Sequence, residues 1–140
     1  MTNNVAEHLT DRSTTPVWLD DPYGTQAVVL RQAVLFIEQN AHRPIGIADI
    51  AAACHRGPRA LQLAFRRGAD TTPWAYVRAV RLARARQDLL AGDPRTDTVF
   101  AVAHRWGFTN RSRFSAEYRA AYGEAPGATL RRPWAEASAA

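Results

Sequence analysis

Residues 99–126, VFAVAHRWGFTNRSRFSAEYRAAYGEAP, hold the side chains best placed to do chemistry, and that chemistry is hydrogen-bond donation. Arg111, Ser112 and Arg113 crowd donors into the opening turn of a helix, while Phe114 and Tyr118, four apart, face inward. Just upstream, Val99, Val102, Ala103 and Trp106 fall at i, i+3, i+4 and i+7, one apolar face of a short helix. Gly107 ends that helix, where a left-handed turn costs a residue without Cβ nothing. Phe108 is a large apolar residue in a turn and is expected to plug the angle between the two helices. Asn110 is a good N-cap. Two short helices, a tight glycine turn and a polar, basic start to the second describe a helix-turn-helix. A helix fits the DNA major groove, and its first turn reaches base edges when its side chains carry donors. Arginine serves best, because its fork matches the two acceptors of guanine. An ordinary helical hairpin with a solvated basic face has the same pattern, so this stretch alone leaves both readings open.

No other cluster points to catalysis or metal binding. Cys54 occupies the apolar position that Trp106 occupies later, which marks it as a small core residue. His42, His55 and His104 lack partners at metal-ligand spacing, and Ser112 has no plausible base beside it. The sequence therefore predicts neither an enzyme, nor a cofactor, nor a metal site.

A chain of 140 residues with 46% hydrophobic content makes one ordinary soluble domain or two very small ones. No apolar run approaches the roughly 18–20 residues of a membrane span. The amino terminus lacks the basic start and apolar stretch of a secretory signal. A lone cysteine excludes an internal disulfide and suits a reducing cytoplasm. Charge says more. All 18 basic residues are arginines, and they are segregated. Residues 1–55 hold 3 Arg against 6 acids, whereas residues 56–140 hold 15 against 7. A basic carboxy-terminal portion favours a polyanionic partner.

The elements that must position these groups follow in order. Residues 1–25 are polar, contain Pro16 and Pro22, and read as a tail or a linker remnant. A helix is expected from about Gln26 to Ala41, with Ala27, Leu30, Val34, Ile37 and Ala41 as its stripe and Val28 and Leu35 broadening it. In IGIADIAAACHRGPRALQLAFRR, Ile47, Ile50, Ala51 and Cys54 match Val99, Val102, Ala103 and Trp106 at an offset of 52. After the turn, Leu61, Phe65, Asp70 and Pro73 match Phe114, Tyr118, Gly123 and Pro126 at an offset of 53. This is an internal duplication of a helix-turn-helix, and it tips the balance away from a simple hairpin. Between the copies, Thr72 and Pro73 start a helix of about 19 residues and about 28 Å. Tyr76, Val80, Ala83 and Leu90 form one stripe of it, Ala75, Ala79, Leu82 and Leu89 the next, with Arg78, Arg81 and Arg84 on the other side. A spacer of that order suits two recognition helices entering successive major grooves roughly 34 Å apart, tilt or DNA bending making up the rest. After Tyr122, a turn and a short last helix from near Pro126 lead to a frayed end at 133–140.

With both copies and their connection in view, residues 26–132 resemble the DNA-binding domain of AraC/XylS-type bacterial transcription regulators. Ile47–Ala51 (IADIA), Arg59–Arg67 (RALQLAFRR), Thr72–Pro73, Tyr76, Arg81–Leu82, Ala85, Leu89–Leu90 and above all WGFTNRSRFSAEYRAAYGEAP carry the resemblance. It implies an all-α fold of seven helices: two helix-turn-helix subdomains, at about 45–70 and 98–122, joined by a long linker helix at about 72–91. It also implies base contacts from Arg59 and Gln62 in the first recognition helix and from Arg111, Ser112 and Arg113 in the second. Arg66, Arg81, Thr109 and Asn110 would lie near phosphates, and Arg67 beside them is a further candidate clamp. The plainer alternative for Arg59 and Gln62 is solvated groups on a surface helix, and Arg81 reads equally as the partner of Asp49 or Asp88. The chain departs from the family pattern at His55, Arg56 and Gly57 in the first turn, and at Leu63, Asp70 and Ala116. His55 in a left-handed turn would cost about 1 kcal/mol. The function implied is a cytoplasmic, nucleoid-associated regulator that binds double-stranded DNA and activates transcription by touching RNA polymerase. The rival expectation is a helical module that kept the fold and binds a partner protein instead. No small-molecule site is evident; relatives carry an amino-terminal sensing domain, so this chain is either a stand-alone regulator or the carboxy-terminal piece of something longer.

Overall fold

Apolar residues at helical spacing and well-placed helix stops dictate the architecture. The computed structural model describes residues 25–139, with side chains through 132, and among these it contains seven helices and no strand. They are α1 (Thr25–Asn40), α2 (Ile47–Ala53), α3 (Pro58–Ala69), α4 (Pro73–Ala91), α5 (Val99–Arg105), α6 (Arg111–Tyr122) and α7 (Pro126–Ala139). Nearly all of the 1–25 stretch read as a tail lies outside the described residues. The last helix runs on to Ala139, past the point where the sequence suggests fraying. Its alanine-rich end, with the highest helix propensity of any residue type, accounts for the extension.

The chain divides into two units: the residues up to Gln39 with Ile45–Tyr76, and Asn40–Pro44 with Val77 onward. The boundary falls within α4, whose first turn belongs to the first unit. Thr72 caps that turn, its hydroxyl accepting the Ala75 N–H at 3.1 Å.

In the first unit, the buried side chains are Val29, Ala33 and Ile37 of α1, Ile50, Ala51 and Cys54 around α2, and Leu61, Ala64 and Phe65 of α3. The Phe65 and Tyr76 rings meet at 5.6 Å. Cys54 fills the core, and burial pushes its thiol above the usual range. The stripe of α1 matches the sequence expectation at Ile37 and Ala41 and departs from it upstream. Val29 and Ala33 are buried, Val28 and Leu35 are exposed, and Leu30 and Val34 are half-buried. Leu30 and Val34 wall an open cleft of about 670 Å³ beside Ala64 and Gly68 of α3. A helix this apolar has no sharp polar edge, so its phase is set by what it packs against.

In the second unit, Leu82, Ala85 and Leu89 of α4 form one core with Val102, Ala103, Phe108, Phe114, Tyr118 and Leu130. Val77 is fully buried as well. Here too the expected stripes of α4 need correction: Ala75, Ala79 and Leu90 are exposed, and Val77 and Ala85 take the core positions instead. Alanines all round the helix blur its period. The arginines expected on its solvated side are partly buried, Arg78 and Arg81 with partners within the fold. Arg81 donates from Nε to the Ala41 carbonyl at 3.0 Å and from an NH2 group to that of Arg43 at 2.8 Å. Asp49 accepts the Gly46 N–H at the start of α2, and Asp88 accepts from Arg105 at 2.9 Å and from the Trp106 indole at 2.8 Å. Those bonds hold Trp106 only half-buried, at the edge of the core rather than inside it.

A buried polar chain ties α6 to α7. Tyr118 donates its hydroxyl proton to Thr129 at 2.7 Å, and Thr129 donates to Glu124, which Arg132 also engages. Tyr118 and Thr129 are both fully buried, so each needs its partner. The Thr129 hydrogen bond, with Arg132 adding to it, holds the Glu124 carboxyl below the ordinary glutamate range. A depressed carboxyl stabilises the fold in full above its unfolded value and loses that contribution as pH falls through the lower folded value. Glu124→Gln is therefore expected to flatten the acid side of the stability–pH curve while changing its neutral plateau less. Thr129→Val, which orphans the Tyr118 hydroxyl, costs about 1–3 kcal/mol at neutral pH. Urea midpoints measured from pH 3 to 7 check both; an acid limb unchanged in Glu124→Gln contradicts the assignment.

Candidate nucleic-acid interface

The second module is built as its sequence dictates. Thr98 caps α5, its hydroxyl accepting the Ala101 N–H at 3.0 Å. After α5, Gly107 takes φ +86, which lets Phe108 turn back into the core. Its ring meets Phe114 at 4.9 Å. Asn110 then caps α6 by accepting the Arg113 N–H at 2.9 Å. With Phe114 and Tyr118 fully buried, the opposite side of the first turn has nowhere to go but outward. Thr109, Asn110, Arg111, Ser112 and Arg113 are all exposed.

Two of these donors have intramolecular partners. The Arg111 guanidinium lies 5.1 Å from the centre of the Phe100 ring. Arg113 approaches Glu117 at 3.6 Å, one turn on. Glu117 is held more tightly by Arg78 of α4, at 2.6 Å, and the Arg78 guanidinium also sits over the Phe108 ring at 5.2 Å. Arg78, Thr109, Asn110 and Arg113 surround a small polar hollow of about 90 Å³ at the amino end of α6. Both guanidiniums at this hollow are also within reach of the Glu117 carboxylate.

The first module repeats the plan with poorer local chemistry. His55 takes the glycine position of the turn at φ +54, and Asp70 ends α3 at φ +50, where Gly123 ends α6 at φ +74. Gly57 starts α3 without a side-chain cap, and Pro58 follows at the first helical position. Leu61, Ala64 and Phe65 are nonetheless buried as fully as their counterparts. Arg59, Gln62 and Arg66, at i, i+3 and i+7, are exposed along one face, with Arg67 beside them. Each module by itself therefore brings its predicted donors to one exposed helix surface. Arg81 is the exception, since its guanidinium serves two carbonyls of its own chain.

This geometry has close counterparts. A crystal structure of a probable AraC family transcriptional regulator from Rhodopseudomonas palustris is 37% identical and superposes with a TM-score of 0.68, over 74% of this chain and 95% of that one. A profile describing a helix-turn-helix domain matches residues 50–132. The chain belongs to the AraC-type helix-turn-helix family. Among curated relatives, it is 36% identical over 74% of its length to a protein named "Probable thc operon regulatory protein" from Rhodococcus erythropolis. It is 36% identical over 72% to "XylDLEGF operon transcriptional activator 1" from Pseudomonas putida. These alignments take in 31% and 30% of the two relatives, so the chain spans less than a third of their length.

Sequence reasoning missed two residues beside the second module. In the sequence Arg78 reads as part of a solvated face; its ion pair with Glu117 spans 39 residues and leaves no local trace. Phe100 did carry a signal: an aromatic residue lying off the α5 stripe of Val99, Val102, Ala103 and Trp106.

The strained first turn is testable by itself. A left-handed residue other than glycine costs about 1 kcal/mol. His55→Gly is expected to stabilise the protein by about that amount, raising the melting temperature by roughly 4 °C for a domain of this size. Differential scanning calorimetry decides it; no rise means that His55 gains compensating contacts there.

Proposed function

We propose that this chain is the DNA-binding part of a transcription regulator and that α3 and α6 each place their first turn in a major groove. Arg59 and Gln62 contact base edges in one groove; Arg111, Ser112 and Arg113 do so in the next. Arg66, Arg67, Thr109 and Asn110 contact phosphates. Arg81 leaves the set because two of its donors are held by carbonyls of its own chain. The observation that carries this reading is a pair of helices, each buried through apolar residues on one side and exposing donors from its opening turn on the other. The names of the relatives support regulation over the rival of a protein-binding module. The activator names among the Pseudomonas putida relatives support activation as the mode; contact with RNA polymerase and a cytoplasmic, nucleoid-associated location are part of the same proposal. The chemistry is recognition, not catalysis.

Selection of bound fragments from random duplex DNA, followed by titration of the chosen site, tests the proposal. Arg59→Ala, Arg111→Ala and Arg113→Ala are each expected to cost about 1–3 kcal/mol and relax preference at one base pair. Arg66→Ala should instead weaken binding evenly across sequences and reduce the salt slope by about 0.9. Weak binding with no sequence preference at physiological salt contradicts the regulator reading. A slope unchanged in Arg66→Ala contradicts its phosphate role.

A further inference from the structure

Phe100 is an exposed phenyl ring that the fold does not need. It is the second residue of α5 and remains 45% exposed, while the core beneath it is closed by Val102 and Ala103. An exposed aromatic of this size forgoes the hydrophobic gain that burial would give it. Its contacts lead to the reading head. On its own helix it stacks on His104, one turn later, with ring centres 5.9 Å apart and planes 25° from parallel. Across the turn it carries the guanidinium of Arg111, the first residue of the recognition helix, 5.1 Å from its centre.

Arg111 is the donor with the most to gain from such a support. A long side chain at the very start of an exposed helix samples many rotamers, and ordering it on DNA costs entropy. Contact of a guanidinium with an aromatic face leaves the N–H groups around its rim able to donate. Those are the groups that pair with O6 and N7 of guanine. His104 limits the freedom of the ring on one side, so the support is itself held.

We propose that Phe100 is a positioning residue for base reading: its ring holds the Arg111 guanidinium over its face, so that the donors are presented to guanine at one base pair. This rests on the base-reading role proposed above for α6. A cation–π contact at an exposed site corresponds to an effect of about two- to fivefold. That is the size of the change expected in discrimination at the base pair read by Arg111, with other base pairs and the salt slope unaltered. Phe100→Leu keeps apolar bulk but removes the aromatic face, and Phe100→Tyr keeps the face.

The test uses the full chain and a selected duplex, with each of the four bases substituted in turn at every position. Discrimination is measured for wild type, Phe100→Ala, Phe100→Leu, Phe100→Tyr, Arg111→Ala and the Phe100→Ala/Arg111→Ala double variant. The proposal expects two- to fivefold weaker guanine preference at one position in the alanine and leucine variants. It also expects wild-type behaviour in the tyrosine variant and no further loss in the double variant. Melting temperatures verify that each variant is folded, and the exposed position makes collapse of the fold unexpected. If Arg111→Ala changes preference at one base pair while Phe100→Ala does not, Phe100 has no positioning role. If Phe100→Ala acts as strongly without Arg111, the ring contacts DNA or a partner directly and the proposal is wrong. If Arg111→Ala alters no base preference, the base-reading role of α6 fails and the proposal falls with it.

Discussion

A short helix that follows a tight turn has one face to bury, and which residues occupy that face fixes where its first turn points. In α6 this constraint is carried by Phe114 and Tyr118, both fully buried, with Phe108 folded back against them. Truncating either aromatic to alanine would cost about 3–5 kcal/mol, a large share of what a domain of this size has to lose. Turning the helix by one residue, about 100°, would put Arg113 where Phe114 lies and expose the ring. No surface interaction of Arg111 or Arg113, worth at most about 1 kcal/mol, competes with that. The exposure of the donors is thus set from underneath. Leu61, Ala64 and Phe65 do the same for α3, which is why a strained, uncapped first turn still yields a well-buried helix.

The positive charge of the chain is divided between two jobs. The exposed arginines of α3 and α6 face solvent, where their charge remains available to a polyanion. Three of those of α4 make contacts within the fold. Arg81 closes two carbonyls, Arg78 holds Glu117 and covers Phe108, and Arg86 covers Tyr122 at 4.5 Å. Burial, reinforced by Arg78 nearby, pulls Arg81 below the usual arginine range, yet guanidinium remains charged at any ordinary pH. Net charge alone therefore overstates how many phosphates the chain can engage.

Legibility followed the strength of the local signal. The second module was readable almost residue by residue, because Gly107, Asn110 and the Phe114–Tyr118 pair each state a single backbone requirement. Its duplicate could be found by offset even though His55 and Gly57 break the local pattern, since apolar spacing is retained where turn chemistry is not. The phases of α1 and α4 are only partly legible: Ile37, Leu82 and Leu89 are buried as expected, but Val29, Ala33, Val77 and Ala85 are core positions that the pattern does not mark. Where alanine, valine and leucine occur all round a helix, only the neighbouring elements decide which side is buried. The use of Arg81 and Arg78 was beyond reach for the same reason: a guanidinium on a distant carbonyl or carboxylate leaves no periodic mark. Trp106 shows the limit of matching by position, since its indole N–H needs Asp88 and so keeps the ring at the core's edge.

The central claim is that both recognition helices, not one, read the same duplex. Guanine-methylation interference on a selected site tests it most directly. The account predicts two clusters of interfering guanines about one helical turn, roughly 10–10.5 base pairs, apart. Arg59→Ala with Gln62→Ala should erase one cluster, and Arg111→Ala with Arg113→Ala the other. A single cluster, or two that survive both pairs of substitutions, would contradict it.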